Sequence, residues 1–124
     1  LIRQARPEDR AALQRLYEVV HPGESVHVIA SRIETIQESP HHFLLLHETE
    51  GRVDGTLFVT LCLDPMFGTL PFAVVENLAV DAGELGEEVR LRLRAEAENI
   101  AREHRSTKLL YFAKETKWLG NDLS

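Results

Sequence analysis

Phe72-Ala73-Val74-Val75-Glu76-Asn77-Leu78-Ala79-Val80-Asp81 is the stretch on which the reading of this chain turns. Taken as a strand over Phe72–Val80, it is apolar on both faces, the pattern of a central strand covered from both sides. Glu76 interrupts that pattern. In the strand it shares a face with Val74, Leu78 and Val80. A carboxylate among apolar neighbours suits a general base that takes a proton from an ammonium group. The plain alternative is a carboxylate salt-bridged at the sheet surface, or one lining a cleft that no longer has a use. Beyond Asp81 the sequence passes through a short loop into a helix. Such a junction offers free N–H groups and the positive end of the helix dipole to a phosphate, although many junctions of this kind are connections and nothing more.

Working outward, Glu87–His104 reads as that helix, with Val89, Leu93, Ala97, Ile100 and Ala101 on one stripe. Val89-Arg90-Leu91-Arg92-Leu93-Arg94 alternates like a strand. The Ala-Glu-rich continuation and the pairs Glu88/Arg92, Arg92/Glu96 and Glu98/Arg102 decide for helix. Lys108–Ala113 is a last strand, and the strand–helix–strand unit implies a parallel, right-handed crossover. Upstream, His42–Thr49 and Val53–Leu63 form a hairpin around Glu50-Gly51-Arg52, followed by a loop from Asp64 to Gly68. Pro7-Glu8-Asp9 opens a helix with an apolar face of Leu13, Leu16, Tyr17 and Val20, and His21-Pro22-Gly23 stops it. Ser25 is placed to cap a second helix carrying Val26, Ile29, Ile33 and Ile36. Leu1–Ala5 is a short strand. The order β-α-α-β-β-β-α-β predicts an α/β fold, a mixed sheet flanked by helices, in a single domain over residues 1–124.

Composition bounds the partners. At 124 residues, 44% of them hydrophobic and 27% charged, the chain fits one ordinary core. A net charge of -6 argues against a nucleic-acid groove and against an anionic membrane surface, both of which reward basic patches. An amine substrate is electrostatically compatible. Cys62 is the single cysteine and lies in an apolar run, which predicts a buried, inert thiol. No apolar run approaches a membrane span, and the opening residues do not read as a signal peptide. The expected compartment is the cytoplasm. His41, His42 and His47 lack the spacing of a metal site, so no metal is expected.

The element order, Val75-Glu76-Asn77-Leu78-Ala79-Val80-Asp81 ahead of a helix, Ile2-Arg3 with Pro7-Glu8-Asp9, and Gly55-Thr56-Leu57 together resemble the GNAT family of acetyl-CoA-dependent N-acetyltransferases. The resemblance covers nearly the whole chain. It implies a GNAT-like fold that lacks the family's last helix and strands. It implies acetyl-CoA as co-substrate, held between strands Phe72–Val80 and Lys108–Ala113. Backbone groups of Leu78, Ala79 and Val80 would align its pantetheine arm and help polarise the thioester. Glu76 would act as base. Tyr111 is the nearest candidate for the acid that protonates the leaving thiolate, with packing as its plain alternative.

The family's pyrophosphate loop usually reads Arg or Gln, two residues, Gly, one residue, then Gly or Ala. Here Leu85 stands for the Arg or Gln, Gly86 fits the usual extra glycine, Val89 fits the usual apolar residue, and Glu88 and Arg90 replace the two small residues. Glu87 and Glu88 put negative charge where a pyrophosphate would bind. One such contact at about 5 Å and an effective dielectric of about 20 costs roughly 3 kcal/mol, about a hundredfold in affinity. Arg90, Arg92 and Arg94 offset this if one of them folds back; otherwise they form a solvated face. Two functions follow from the resemblance. One is acetyl transfer to an amine of a small molecule or peptide, with a weakened cofactor loop. The other is a non-catalytic binding or oligomerisation module that has lost the cofactor. The short end leaves the last strand as an edge, so a homodimer through that edge is an expectation.

Overall fold

The structure is a computed structural model that describes residues 1–111 and Leu119. Five strands form one sheet in the order β1-β2-β3-β4-β5: β1 Ile2–Gln4, β2 His42–Thr49, β3 Arg52–Cys62, β4 Phe72–Val80 and β5 Leu109–Tyr111. The first four pair antiparallel, and β5 joins β4 in parallel. This is the mixed sheet the sequence predicts, with β4 interior.

Helix α1 spans Arg10–Val20, α2 Ala30–Glu38 and α3 Gly86–Glu103. Helices α1 and α2 lie on one face of the sheet and α3 on the other, across β2, β3 and β4. Strand alternation builds a core on each side. Leu13 and Leu16 of α1 and Ile33 of α2 meet Leu44 and Leu46 of β2. On the opposite face Leu45, Leu57, Val59 and Val75 meet Val89, Leu93, Ala97 and Ile100 of α3. Gly55 is what lets α3 come this close: a Cβ there would stand 2.7 Å from Val89 Cγ1.

Three expectations need correction. Pro7–Asp9 is a separate 3₁₀ turn ahead of α1. It is fixed by Asp9, whose carboxylate accepts from the Arg6 amide at 2.7 Å and from Arg3 at 2.8 and 2.9 Å. Ser25 does not cap α2, which begins at Ala30 with Ile29 as its N-cap. The Gln14 side chain bridges the preceding segment instead, donating to Val26 O and accepting from Val28 N, both at 2.8 Å. Those peptide groups are satisfied by α1 and have no need of a helix. Cys62 is half-buried rather than buried; burial still pushes its thiol above the ordinary value, toward the protonated form.

The last strand is described as far as Tyr111. The expected continuation to Ala113, the tail that would carry Trp118, and the expected lack of a further helix and strands lie outside the described residues. Among the described residues no helix is long and apolar enough to cross a membrane. No group of three or more His, Cys, Asp or Glu side chains is placed there to hold a metal ion.

Candidate functional site

The middle of β4 is irregular. Glu76 pairs with Phe58 and Ala79 with Thr56, so Asn77 and Leu78 together face the single residue Leu57. This is a β-bulge: one extra residue, a local break in the ladder and a bend. Asn77 carries it with a φ of 57°, a left-handed conformation that Asn tolerates better than most residues.

The bulge changes which side chains share a face, and this corrects the strand reading of Glu76. Glu76 keeps company with Val74 and with its cross-strand neighbour Phe58, on the side of α1 and α2. Leu78 and Val80 go to the opposite face and pack against the α3 core. Ala79 is buried in the α1–α2 core. A regular period of two cannot give this arrangement, because the extra residue resets the alternation. Beyond the bulge, Ala79 and Val80 return to the β3 ladder opposite Thr56 and Gly55.

On the Glu76 side, a cavity of about 370 Å³ lies between α1, α2 and the sheet. Its walls are Leu13, Val28, Ile36, Leu44 and Phe58, with the half-buried Tyr17, the exposed Asn77, His27 and Arg32 also lining it. Burial pushes the Tyr17 phenol up to about 12, and the Glu76 carboxylate adds to that shift. Tyr17 is therefore a neutral phenol at neutral pH. Nothing in the sequence pattern singles out this cavity, because its walls come from four separated segments.

At the far end of β4, the turn 81–86 enters α3. Asp81 is held by Arg15 of α1 at 2.7 and 3.3 Å, and the same guanidinium donates to Val53 O at 2.9 Å. This clamp ties α1 to the end of β4. Leu85 is the N-cap of α3 and Gly86 its first residue. A Cβ on Gly86 would stand 3.0 Å from Asp81 O, so the tight turn itself calls for glycine. A cavity of about 490 Å³ opens here between the β2–β3 turn and residues 81–86, lined by Thr49, Arg52, Asp54, Leu85 and Val89 among others.

The acids of the loop are not equivalent. Glu88 accepts from Arg92 at 2.8 Å and turns toward β2, where both line a smaller cavity of about 190 Å³ with His47 and Thr49. Glu87 has no ion-pair partner among the described residues. By helical spacing it shares its face with Arg90 and Arg94. The Arg94 guanidinium sits 4.3 Å from the centre of the Tyr111 ring. The three arginines thus do not form one face: Arg92 pairs with Glu88, Arg94 stacks on Tyr111, and Arg90 is exposed. Of the three expected helix pairs, Glu88–Arg92 forms a salt bridge among the described residues. Val89 is buried in the core, with its outer edge bordering the cavity at the turn.

Tyr111 pairs in register with Val75, whose side chain faces α3, and its hydroxyl donates to Glu98 at 3.3 Å. Partial burial raises its pKa, the Arg94 contact opposing the shift. The structure therefore puts Tyr111 and Glu76 on opposite faces of the sheet. His47 shares Asp54 with Thr49, through Nδ1 at 2.7 Å and the Thr49 hydroxyl at 2.6 Å. The described β4–β5 pairing covers Ala73–Val75 and Leu109–Tyr111 and ends just before the bulge.

The molecule shares the fold of the GNAT acetyltransferases. Solved structures establish this. A protein of Agrobacterium tumefaciens, described as a candidate acetyltransferase, superposes with a TM-score of 0.82 at 17% identity, covering 94% of this chain and 83% of that one. An aminoglycoside acetyltransferase from an uncultured soil metagenomic sample, in complex with sisomicin, gives 0.75 at 17% identity, covering 93% and 78%. Glucosamine-6-phosphate N-acetyltransferase from Arabidopsis thaliana gives 0.76 at 14% identity, covering 100% and 98%. No protein-family model matches the sequence, and no curated protein matches it. At these identities the likeness establishes the fold, and function is a separate question.

Proposed function

We propose that this GNAT-fold chain transfers an acetyl group from acetyl-CoA to the amine of a small molecule. The observation that carries the proposal is the bulge at Asn77–Leu78. It interrupts the β3–β4 ladder beside a half-buried carboxylate and at the edge of an apolar cleft. Interrupted ladders leave backbone N–H groups free to hold an oxygen that gains charge.

The chain's residues fit the cofactor. Gly86 begins α3 directly after the turn 81–86, and a helix N-terminus favours a pyrophosphate. Pairing with Arg92 reduces the repulsion expected from Glu88, and Arg90 and Arg94 lie on the Glu87 face. Acetyl-CoA supplies the acyl carbon and a thiolate leaving group. The backbone of Asn77 and Leu78, outside the regular ladder, would meet the carbonyl oxygen. Glu76 takes the proton of the incoming ammonium, directly or through water, as the C–N bond forms and the C–S bond breaks. Tyr111 stands on the other face with its hydroxyl on Glu98, so the thiolate is protonated from solvent.

Glu87, in the first turn of α3 and without an ion-pair partner among the described residues, favours a second reading, a module that no longer holds the cofactor. Calorimetry of acetyl-CoA binding at low salt, with Glu87→Gly alongside, separates the two. Binding by the unaltered chain supports the enzyme. Binding by the Glu87→Gly variant alone supports the module. Absence of binding by both removes the proposal. Where binding is seen, Glu76→Gln is expected to slow thiol release about 10²–10⁴-fold while leaving acetyl-CoA affinity unchanged.

A further inference from the structure

The cavity on the Glu76 side has a composition that selects among amines. Its walls are Leu13, Val28, Ile36, Leu44 and Phe58, and among the described residues no carboxylate lines it. Arg32 is the one fixed charge that the described residues bring to the lining. Its guanidinium is exposed and has no hydrogen bond or ion pair among the described residues. Arg32 lies in the first turn of α2, which has no acidic residue there and no side-chain cap. The His27 imidazole also lines the cavity. The α2 end of the cavity is therefore positive, while the Glu76 carboxylate acts from the sheet side, where it reaches Tyr17. Asn77, next to Glu76, is the polar group that the bulge adds to the same cavity.

A polycation has the single carboxylate of Glu76 to meet here, and each further ammonium would lie among apolar walls or against Arg32. A bare sugar phosphate has few hydrogen-bonding partners along those walls. At about 370 Å³ the space is near the lower end for a ligand pocket, which implies a small molecule.

We infer that the acetyl acceptor is a small amino acid-like molecule: an amine directed at Asn77 and Glu76, an apolar body in the cavity, and a carboxylate paired with Arg32. Arg32 is then the residue that sets acceptor specificity. The inference rests on the acetyl-transfer reading for the word acceptor, but the binding preference does not require it.

Three amines with one chain length form the test: 6-aminohexanoate, hexylamine and hexane-1,6-diamine. Their dissociation constants are measured by calorimetry without acetyl-CoA, and acetyl transfer is followed separately by release of the CoA thiol. The unaltered chain is expected to bind 6-aminohexanoate about two- to fivefold more tightly than hexylamine, the worth of one ion pair at an exposed guanidinium. It is expected to bind the diamine most weakly. Arg32→Ala is expected to abolish the preference for the carboxylate, and Arg32→Glu to favour the diamine. Arg32 is exposed, so both variants are expected to keep the parent's thermal midpoint.

Equal binding of 6-aminohexanoate and hexylamine, a preference that survives Arg32→Ala, or no binding of any of the three would overturn the inference. A carboxylate preference without thiol release would uphold the specificity of the cavity and remove acetyl transfer as its purpose. Thiol release that is fastest with hexane-1,6-diamine would do the reverse.

Discussion

Gly55→Ala probes how α3, and with it the turn at its N-terminus, is seated on the sheet. The new Cβ would stand 2.7 Å from Val89 Cγ1 and 3.0 Å from Leu93 Cδ1. Comfortable carbon contacts are about 3.5–4.0 Å, so the helix or these side chains must give by roughly 1 Å. Both residues are buried, and neither can turn into solvent. Overpacking a filled core costs about 1–3 kcal/mol, while replacing glycine returns about 0.4–1 kcal/mol through the unfolded chain. The expected net loss is about 1–2 kcal/mol, a fall of roughly 4–8 °C in thermal midpoint for a domain of this size. Val89→Ala removes the atom that clashes. Alone it is destabilising, because it takes two methyl groups out of the core. In the double variant the Gly55→Ala strain is relieved. A double-mutant cycle by chemical denaturation is expected to show the pair at least about 1 kcal/mol more stable than the sum of the singles. Additivity within about 0.5 kcal/mol would refute the reasoning, since the loss at Gly55 would then have nothing to do with Val89.

Asn77→Val forces a β-branched residue into a φ of 57° and is expected to cost about 1–2 kcal/mol by denaturation, whereas Asn77→Gly is expected to be close to neutral. The Arg3 guanidinium holds the Asp9 carboxyl below its ordinary value. Its contribution is therefore complete above the unfolded pKa of about 4 and is lost as pH falls through the lower folded value. In thermal scans from pH 6 downward, Asp9→Asn is expected to start lower but to lose less than the parent below about pH 4. Gln14→Ala removes both bonds to the 26–28 segment and is expected to cost about 1–2 kcal/mol. Amide exchange should quicken most at Val28, whose N–H loses its acceptor.

The elements that follow their own periodicity are readable without coordinates. The His42–Thr49 strand, the β4 span and the α3 stripe stand where alternation and the 3.6-residue period put them. The errors fall where a distant side chain overrides a local signal. Ser25 is a sound capping residue by type, yet Gln14, eleven places earlier, takes the peptide groups of the next segment. Glu76 could be placed on its strand but not among its neighbours, because the bulge sits one residue after it. An Asn inside an otherwise apolar strand was the available sign of a left-handed residue. The apolar cavity, the Arg15–Asp81 clamp and the solitary Arg32 had no such sign. Each depends on segments brought together only by the fold.

The bulge also explains how one strand serves two helical layers and a site. Ahead of it, Val75 packs under α3 while Glu76 faces α1 and α2; beyond it, Leu78 and Val80 rejoin the α3 core while Ala79 enters the other. Straightening β4 by one residue would leave only one of these two halves in its proper layer. Either Val75 would leave the α3 core, or Leu78 and Val80 would. At about 1.5–3 kcal/mol for each large apolar side chain brought out of a core, that outweighs the roughly 1–2 kcal/mol of a left-handed Asn. The irregular backbone beside Glu76 is therefore held by packing on both faces of the sheet. That packing is indifferent to whether a ligand is bound, so the candidate site is formed before anything enters it.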